Sequence, residues 1–277
     1  MERTAADTEA MNTSISFLSS RLALVAGLAL QTWLAPGVMA AESAAAKAPL
    51  AVVLVHGAWA DGSSWNAVIP LLQAQGLQVV AVQCPLTGLA DDVAAVRRAI
   101  ERQKAPVLLV GHSWGGVVIT EAGRNPNVSG LVYVAAFGPA EGESVEGLLG
   151  NKSVPPPPGL AGIEPDAEGF LWQTADNVAR NFAQDVPAAQ ARLIAAVQKP
   201  IAAASFGTQV GVPAWSTKPS WYVVADQDRM IPPEAERAFA GRMRAKVSVL
   251  PSGHNPMLSR PSDVAGVILD AARELGR

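Results

Sequence analysis

The sequence predicts an α/β fold in which a mostly parallel sheet is covered by helices on both faces. Three observations carry this expectation. Short apolar runs alternate with amphipathic segments along most of the 277-residue chain, the pattern of strand–helix–strand units. A Gly-x-Ser-x-Gly turn, Gly111-His112-Ser113-Trp114-Gly115, joins one such run to a helix. Aspartates and then a histidine follow two later runs of the same kind.

Taken in order, Leu50 to Val55 is apolar throughout and predicts a buried strand, followed by a helix over 63–75 and a strand over 77–82. A helix over 91–103 follows, with Asp91 and Asp92 suited to cap it and Val93, Val96 and Ile100 on one face. Pro106 to Val110 forms the strand before the serine. Gly116 to Ala122 reads as a buried helix that stops near Gly123 and Asn125-Pro126. The strand over 128–136 precedes a long irregular stretch. The alternation then resumes with strand 220–225, helix 233–243, strand 246–250 and helix 261–275. In that last helix Val264, Val267, Ile268, Ala271 and Leu275 form a stripe that faces the sheet.

Strand, tight turn and helix around Ser113 is the geometry that exposes a serine as a nucleophile. The turn strains the serine backbone and is tolerated only beside small residues, which Gly111, Gly115 and Gly116 supply. A serine hydroxyl needs a base, and the chain has three histidines. His56 ends the first strand, and His112 adjoins the serine with its side chain directed away. His254, in the loop Pro251-Ser252-Gly253-His254-Asn255-Pro256, is therefore the candidate base. The acid that orients it is sought at the end of the strand Ser220 to Ala225, where Asp228 is favoured over Asp226. Glu141 and Glu143 are lesser candidates. For a developing oxyanion, two backbone N–H groups are required. The amides of Trp114, directly after the serine, and Ala58, in the loop His56-Gly57-Ala58-Trp59, are assigned to it. Trp59, Trp114, Phe137, Trp172, Phe206 and Trp215 are candidate pocket walls, each equally suited to core packing.

These segments resemble the α/β-hydrolase superfamily, in the branch that includes small bacterial esterases, plant methyl-ester esterases and hydroxynitrile lyases. The resemblance rests on Val52 to Trp59, Asp61 to Trp65, Gly111 to Gly116, Tyr133 to Phe137 and Asp228 to Pro232, and spans residues 50–277. It implies an α/β-hydrolase fold with a helical cap inserted at about 139–218. It also implies a Ser113–Asp228–His254 triad, and hydrolysis of small, largely apolar carboxylic esters or lactones through an acyl-enzyme. Hydroxynitrile lyases of this branch carry a lysine directly after the triad histidine. Here that position is Asn255, which disfavours cyanide chemistry. A cofactor-free perhydrolase activity, or a ligand receptor that keeps the fold and triad, are the other readings the resemblance allows.

Composition sets the remaining bounds. A hydrophobic content of 49% supports a sizeable core, and a net charge of −3 with no Lys/Arg cluster excludes a nucleic-acid surface. No Cys/His metal spacing, phosphate loop or Gly-x-Gly-x-x-Gly follows a strand, so no metal or other cofactor is expected. Cys84 is the single cysteine and cannot form an internal disulfide. Near the N-terminus, Arg21 precedes the apolar run Leu22 to Leu34, then Pro36-Gly37 and the small residues before Ala41. This pattern predicts a signal peptide over 1–40, cut after Ala40, and a linker over 41–48. The expected location is periplasmic or secreted, without stable membrane association, and Met11 is an alternative start.

Overall fold

The computed structural model describes residues 50–150 and 156–276, so the expected signal peptide and linker lie outside the described residues. Among the described residues, nine strands run in chain order: β1 Ala51–Val55, β2 Gln78–Ala81, β3 Val107–Ser113, β4 Val128–Ala136, β5 Ile163–Pro165, β6 Phe170–Gln173, β7 Ile201–Ala202, β8 Ser220–Ala225 and β9 Lys246–Leu250. Six of them form one sheet in the order β2-β1-β3-β4-β8-β9, with every neighbouring pair parallel. A parallel pair needs a crossover, and the apolar composition of these strands reflects cover on both faces.

The two faces have separate cores, divided by the period-two alternation of each strand. Val52, Leu54, Leu108, Val110 and Val132 pack with Trp65, Val264 and Ile268 on one side. Val53, Val55, Leu109, Leu131 and Tyr133 pack with Val96, Ile100 and Val117 on the other. The C-terminal helix Pro261–Leu275 buries Val264, Ile268 and Ala271 as the stripe predicts. Truncating Ile268 to alanine there would cost about 2–5 kcal/mol.

Two helices differ from expectation. The stretch over 63–75 divides into a 3-10 turn, Gly62–Trp65, and a helix, Ile69–Gln73. Pro70 explains the division, because it has no N–H to give a continuous helix and is accommodated near the start of a new one. The helix after β2 runs Leu89–Glu101, with Gly88 at its cap. Asp92 is therefore not a helix cap. It is fully buried, and its carboxylate accepts from Leu86 N (2.8 Å) and from the Trp114 indole N–H (2.8 Å).

The segment between β4 and β8 contains helices, the longest being Ala188–Val197, and a π-helical turn at Val178–Phe182. It also contains a three-stranded antiparallel sheet, β5-β6-β7, in addition to the helical cap expected. No helix among the described residues is long and apolar enough to cross a membrane.

Candidate active site

Ser113 is the last residue of β3 and directly precedes the helix Trp114–Ala122, and its backbone sits at φ 51°, ψ −119°. That conformation is rare for a residue with a side chain and is maintained only where the surroundings fix it. Close contacts on three sides do so. A Cβ on Gly111 would lie 2.5 Å from Gly115 O, one on Gly115 2.6 Å from Val55 O, and one on Gly116 2.3 Å from Phe137 O. The elbow thus requires glycine at all three positions on steric grounds.

The structure brings Ser113, His254 and Asp228 into one hydrogen-bonded chain. His254 Nε2 stands 2.9 Å from Ser113 Oγ, and His254 Nδ1 stands 2.6 Å from Asp228 Oδ2. Asp228 Oδ1 accepts from Met230 N (2.6 Å) and Ile231 N (3.0 Å), which fixes the carboxylate plane. Asp226 is exposed, and its N–H extends the β8–β9 ladder by donating to Leu250 O. Glu141 is also exposed, and Glu143 pairs with Arg242 at 2.5 Å, so neither reaches the histidine.

The loop after β1 presses against the nucleophile. A Cβ on Gly57 would lie 2.8 Å from Ser113 Cβ, so only glycine lets this backbone pass so near. Ala58 and Trp114 line the same small chamber as Ser113 and His254. The Trp114 N–H, at the first position of its helix, has no intrahelical acceptor and is free to bind an anion.

Both histidines set aside by sequence reading have structural work at this site. His56 Nδ1–H donates to Gly57 O (2.8 Å), while Nε2 accepts from Cys84 N (3.0 Å). These partners require the neutral ring, and burial lowers its pKa to about 4. His112 Nε2–H donates to the backbone carbonyl of His254 (2.7 Å), with the two rings 4.8 Å apart. Burial, then the neighbouring His254, holds the His112 pKa well below its usual value. His56 thereby anchors the loop bearing Ala58, and His112 anchors the loop bearing His254. Their positions beside the Gly57 and Ser113 motifs were the available signal. Asp92 acts similarly on Trp114, although its place beside Asp91 reads as that of a helix cap.

The chamber at Ser113 has a volume of about 20 Å³. Trp59, Phe137 and Phe206 are among its walls; Trp172 and Trp215 are not. The Trp172 side chain is 40% exposed and donates to Asp166 Oδ2, because it alternates along β6 with Leu171, which packs on the core. Trp215 is half-buried, and its indole N–H donates to Pro139 O (3.0 Å), closing the base of the insertion. A groove of about 210 Å³ adjoins the chamber through the shared residues Phe137, Leu149 and Ile231.

The insertion closes over the histidine. The Phe182 ring stands 5.4 Å from that of His254 and meets Trp59 edge-on at 6.2 Å. Hydrogen bonds secure this segment to the loops bearing the acid and the base: Asn255 Nδ2 to Phe182 O, Gln184 Nε2 to Gln227 O, Gly253 N to Asp185 Oδ2, Gly159 N to Arg229 O and Arg229 Nη1 to Arg180 O. Among the described residues, no group of three or more His, Cys, Asp or Glu side chains is arranged to hold a metal ion.

Residues 52–267 match the model of the alpha/beta hydrolase family. The chain belongs to that family. A carbendazim hydrolyzing esterase of a Nocardioides species is 30% identical over 246 residues, covering 77% of this chain and 96% of that protein. A pyrethroid hydrolase of Sphingobium wenxiniae is 28% identical over 245 residues, covering 80% of this chain and 87% of that protein. The crystal structure of a pyrethroid hydrolase from Sphingobium faniae superposes with a TM-score of 0.70 at 26% identity, covering 81% of this chain and 98% of that one. The relatives of this alpha/beta hydrolase are thus named as hydrolases and an esterase.

Proposed function

We propose that this alpha/beta hydrolase is a serine esterase that cleaves small, largely apolar carboxylic esters, lactones included. The observation that carries the reading is the Ser113–His254–Asp228 chain at 2.9 and 2.6 Å. His254 takes the Ser113 proton as Oγ attacks the ester carbonyl, and Asp228 holds the imidazole tautomer and balances the imidazolium. The amides of Ala58 and Trp114 stabilise the oxyanion. His254 then protonates the leaving alkoxide, and a water activated by His254 releases the acid and regenerates Ser113. Trp59, Phe137 and Phe206 support an apolar group beside the scissile bond. Asn255 supports hydrolysis over cyanide release, since its side chain is buried against Phe182 O and carries no charge.

Turnover of p-nitrophenyl esters of graded acyl length tests this reading. Activity in the wild type, lost by about 10⁴-fold or more in Ser113→Ala with the fold retained, is expected. Equal turnover by the two proteins contradicts it. Export is part of the same proposal: N-terminal sequencing of protein from a fractionated bacterial host should find Ala41 first, outside the cytoplasm. A cytosolic product that retains residues 1–40 contradicts that element alone.

A further inference from the structure

Glu236 is a buried acid for which acyl transfer, as described above, has no use. It lies in the first turn of the helix Pro233–Met243 and is fully buried. One carboxyl oxygen, Oε2, accepts from Ala225 N (2.9 Å) at the end of β8; the other, Oε1, is buried without a partner of its own. No ion pair among the described residues includes Glu236. The charged and titratable groups near enough to act on it are the carboxylate of Asp228, the Tyr222 phenol and Arg237 on its own helix. The phenol is already committed, since its O–H donates to Ala136 O.

Two adjacent buried carboxyls that lack a cation between them cannot both be ionised. Which of them carries the proton follows from the donors each one has. A carboxylate offers about four lone-pair positions. Asp228 fills three of them, with Met230 N, Ile231 N and His254 Nδ1. Glu236 fills one, with Ala225 N. The better-solvated anion is Asp228, and its unfilled position needs a donor. The helix N-terminus favours a negative Glu236, but only by a fraction of what burial beside a carboxylate opposes. Burial first, and then the Asp228 charge, hold the Glu236 pKa well above the usual carboxylate range.

We propose that Glu236 is a neutral acid and a positioning residue for the triad, its O–H donating to the Asp228 carboxylate and its carbonyl oxygen accepting from Ala225 N. The hydrogen-bonded chain then runs Ser113, His254, Asp228, Glu236. The last member locks the acid loop to the helix behind it and adds no second negative charge beside His254. This rests on the esterase reading for its kinetic consequences, though not for the protonation state.

The experiment is infrared difference spectroscopy of the full chain at neutral pH, wild type against Glu236→Gln. A protonated-carboxyl C=O stretch in the wild type, absent in the variant, is expected, and this readout does not depend on turnover. Absence of that band in the wild type overturns the proposal. In parallel, Glu236→Gln, which keeps a donor and an acceptor, should retain kcat within about twofold and leave the acidic limb of the pH–kcat/KM profile in place. A limb that moves down by more than about half a pH unit would mean a negative charge had been removed, and would overturn the proposal. Glu236→Leu should lower kcat about tenfold with KM unchanged, because the acid is no longer held. Wild-type kcat in Glu236→Leu overturns the positioning role. If instead Ser113→Ala stays active while the band behaves as expected, the esterase reading fails and the neutral Glu236 stands.

Discussion

The sheet core and the insertion between β4 and β8 meet at His254, and they contribute differently. Every member of the proposed machinery belongs to the core: Ser113 after β3, Asp228 after β8, His254 after β9, and the Ala58 amide after β1. All these loops leave the C-terminal ends of parallel strands, where α/β folds place their chemistry. Among the described residues, the insertion supplies no hydrogen-bonding group to Ser113. It gives Phe182 against the histidine, and the hydrogen bonds that secure the acid and base loops. Reaction type thus resides in the core, while enclosure and loop position reside in the insertion.

The largest effect expected to sharpen this contrast is in the core. Asp228→Asn should lower kcat by about 10⁴-fold, because the amide no longer holds the required His254 tautomer. Asp226→Asn, exposed two residues away, should stay within about twofold of wild type. Steady-state kinetics of the two variants check this. A dead Asp226 variant beside an active Asp228 variant would break the assignment of the acid to the core loop.

Next come the contacts between the regions. Asn255→Ala leaves Phe182 O without its donor, a loss of about 1–3 kcal/mol in stability. It should reduce kcat about tenfold through a looser His254 loop. Chemical denaturation and kinetics on the same variant read both effects. Stability loss with unchanged kcat would show that the insertion only covers the site.

A pH effect separates the regions as well, because the insertion contains no histidine. His56 has its pKa lowered from 6.5 to about 4 in the folded chain. The unfolded chain therefore takes up the proton first as pH falls. Stability should be full above about pH 6.5 and decline down to about pH 4, by up to about 3 kcal/mol from this group. His112, shifted in the same direction, adds to the decline. Denaturation midpoints across that range test it. A His56→Gln variant with the same pH slope as wild type would contradict the role of His56.

The smallest effect is on the outer surface of the insertion. Trp172→Ala should change kcat/KM by less than about twofold, since its side chain faces Asp166 and solvent. A large change would place β6 in substrate contact after all.

The same division governed what could be read from the amino acids. The core strands are continuous apolar runs closed by glycine, aspartate or histidine, so β1, β3, β4 and β8 and the three candidate triad residues were visible as pattern. The insertion has elements of two to five residues for the most part, and a strand such as Ile201–Ala202 exists only through its partner Phe170–Leu171. Local preference cannot specify so short a strand. Trp172 and Trp215 have the size of pocket walls, but strand alternation and a hydrogen bond to Pro139 O place them elsewhere. Asp92 and Glu236 were illegible for a related reason. Each reads as a helix-start acid, and only tertiary contact reveals Trp114 behind one and Asp228 behind the other.

Covalent labelling shows whether Ser113 is a nucleophile activated by His254. A serine-directed phosphonate is incubated with the wild type, Ser113→Ala and His254→Ala, without added metal, and the sites are mapped by peptide mass spectrometry. One phosphonyl group, on Ser113, with simultaneous loss of esterase activity is expected. No adduct should form in Ser113→Ala, and labelling should be slowed by about 10³-fold or more in His254→Ala. A wild type left unlabelled, or labelled on a residue other than Ser113 as it loses activity, would contradict the claim.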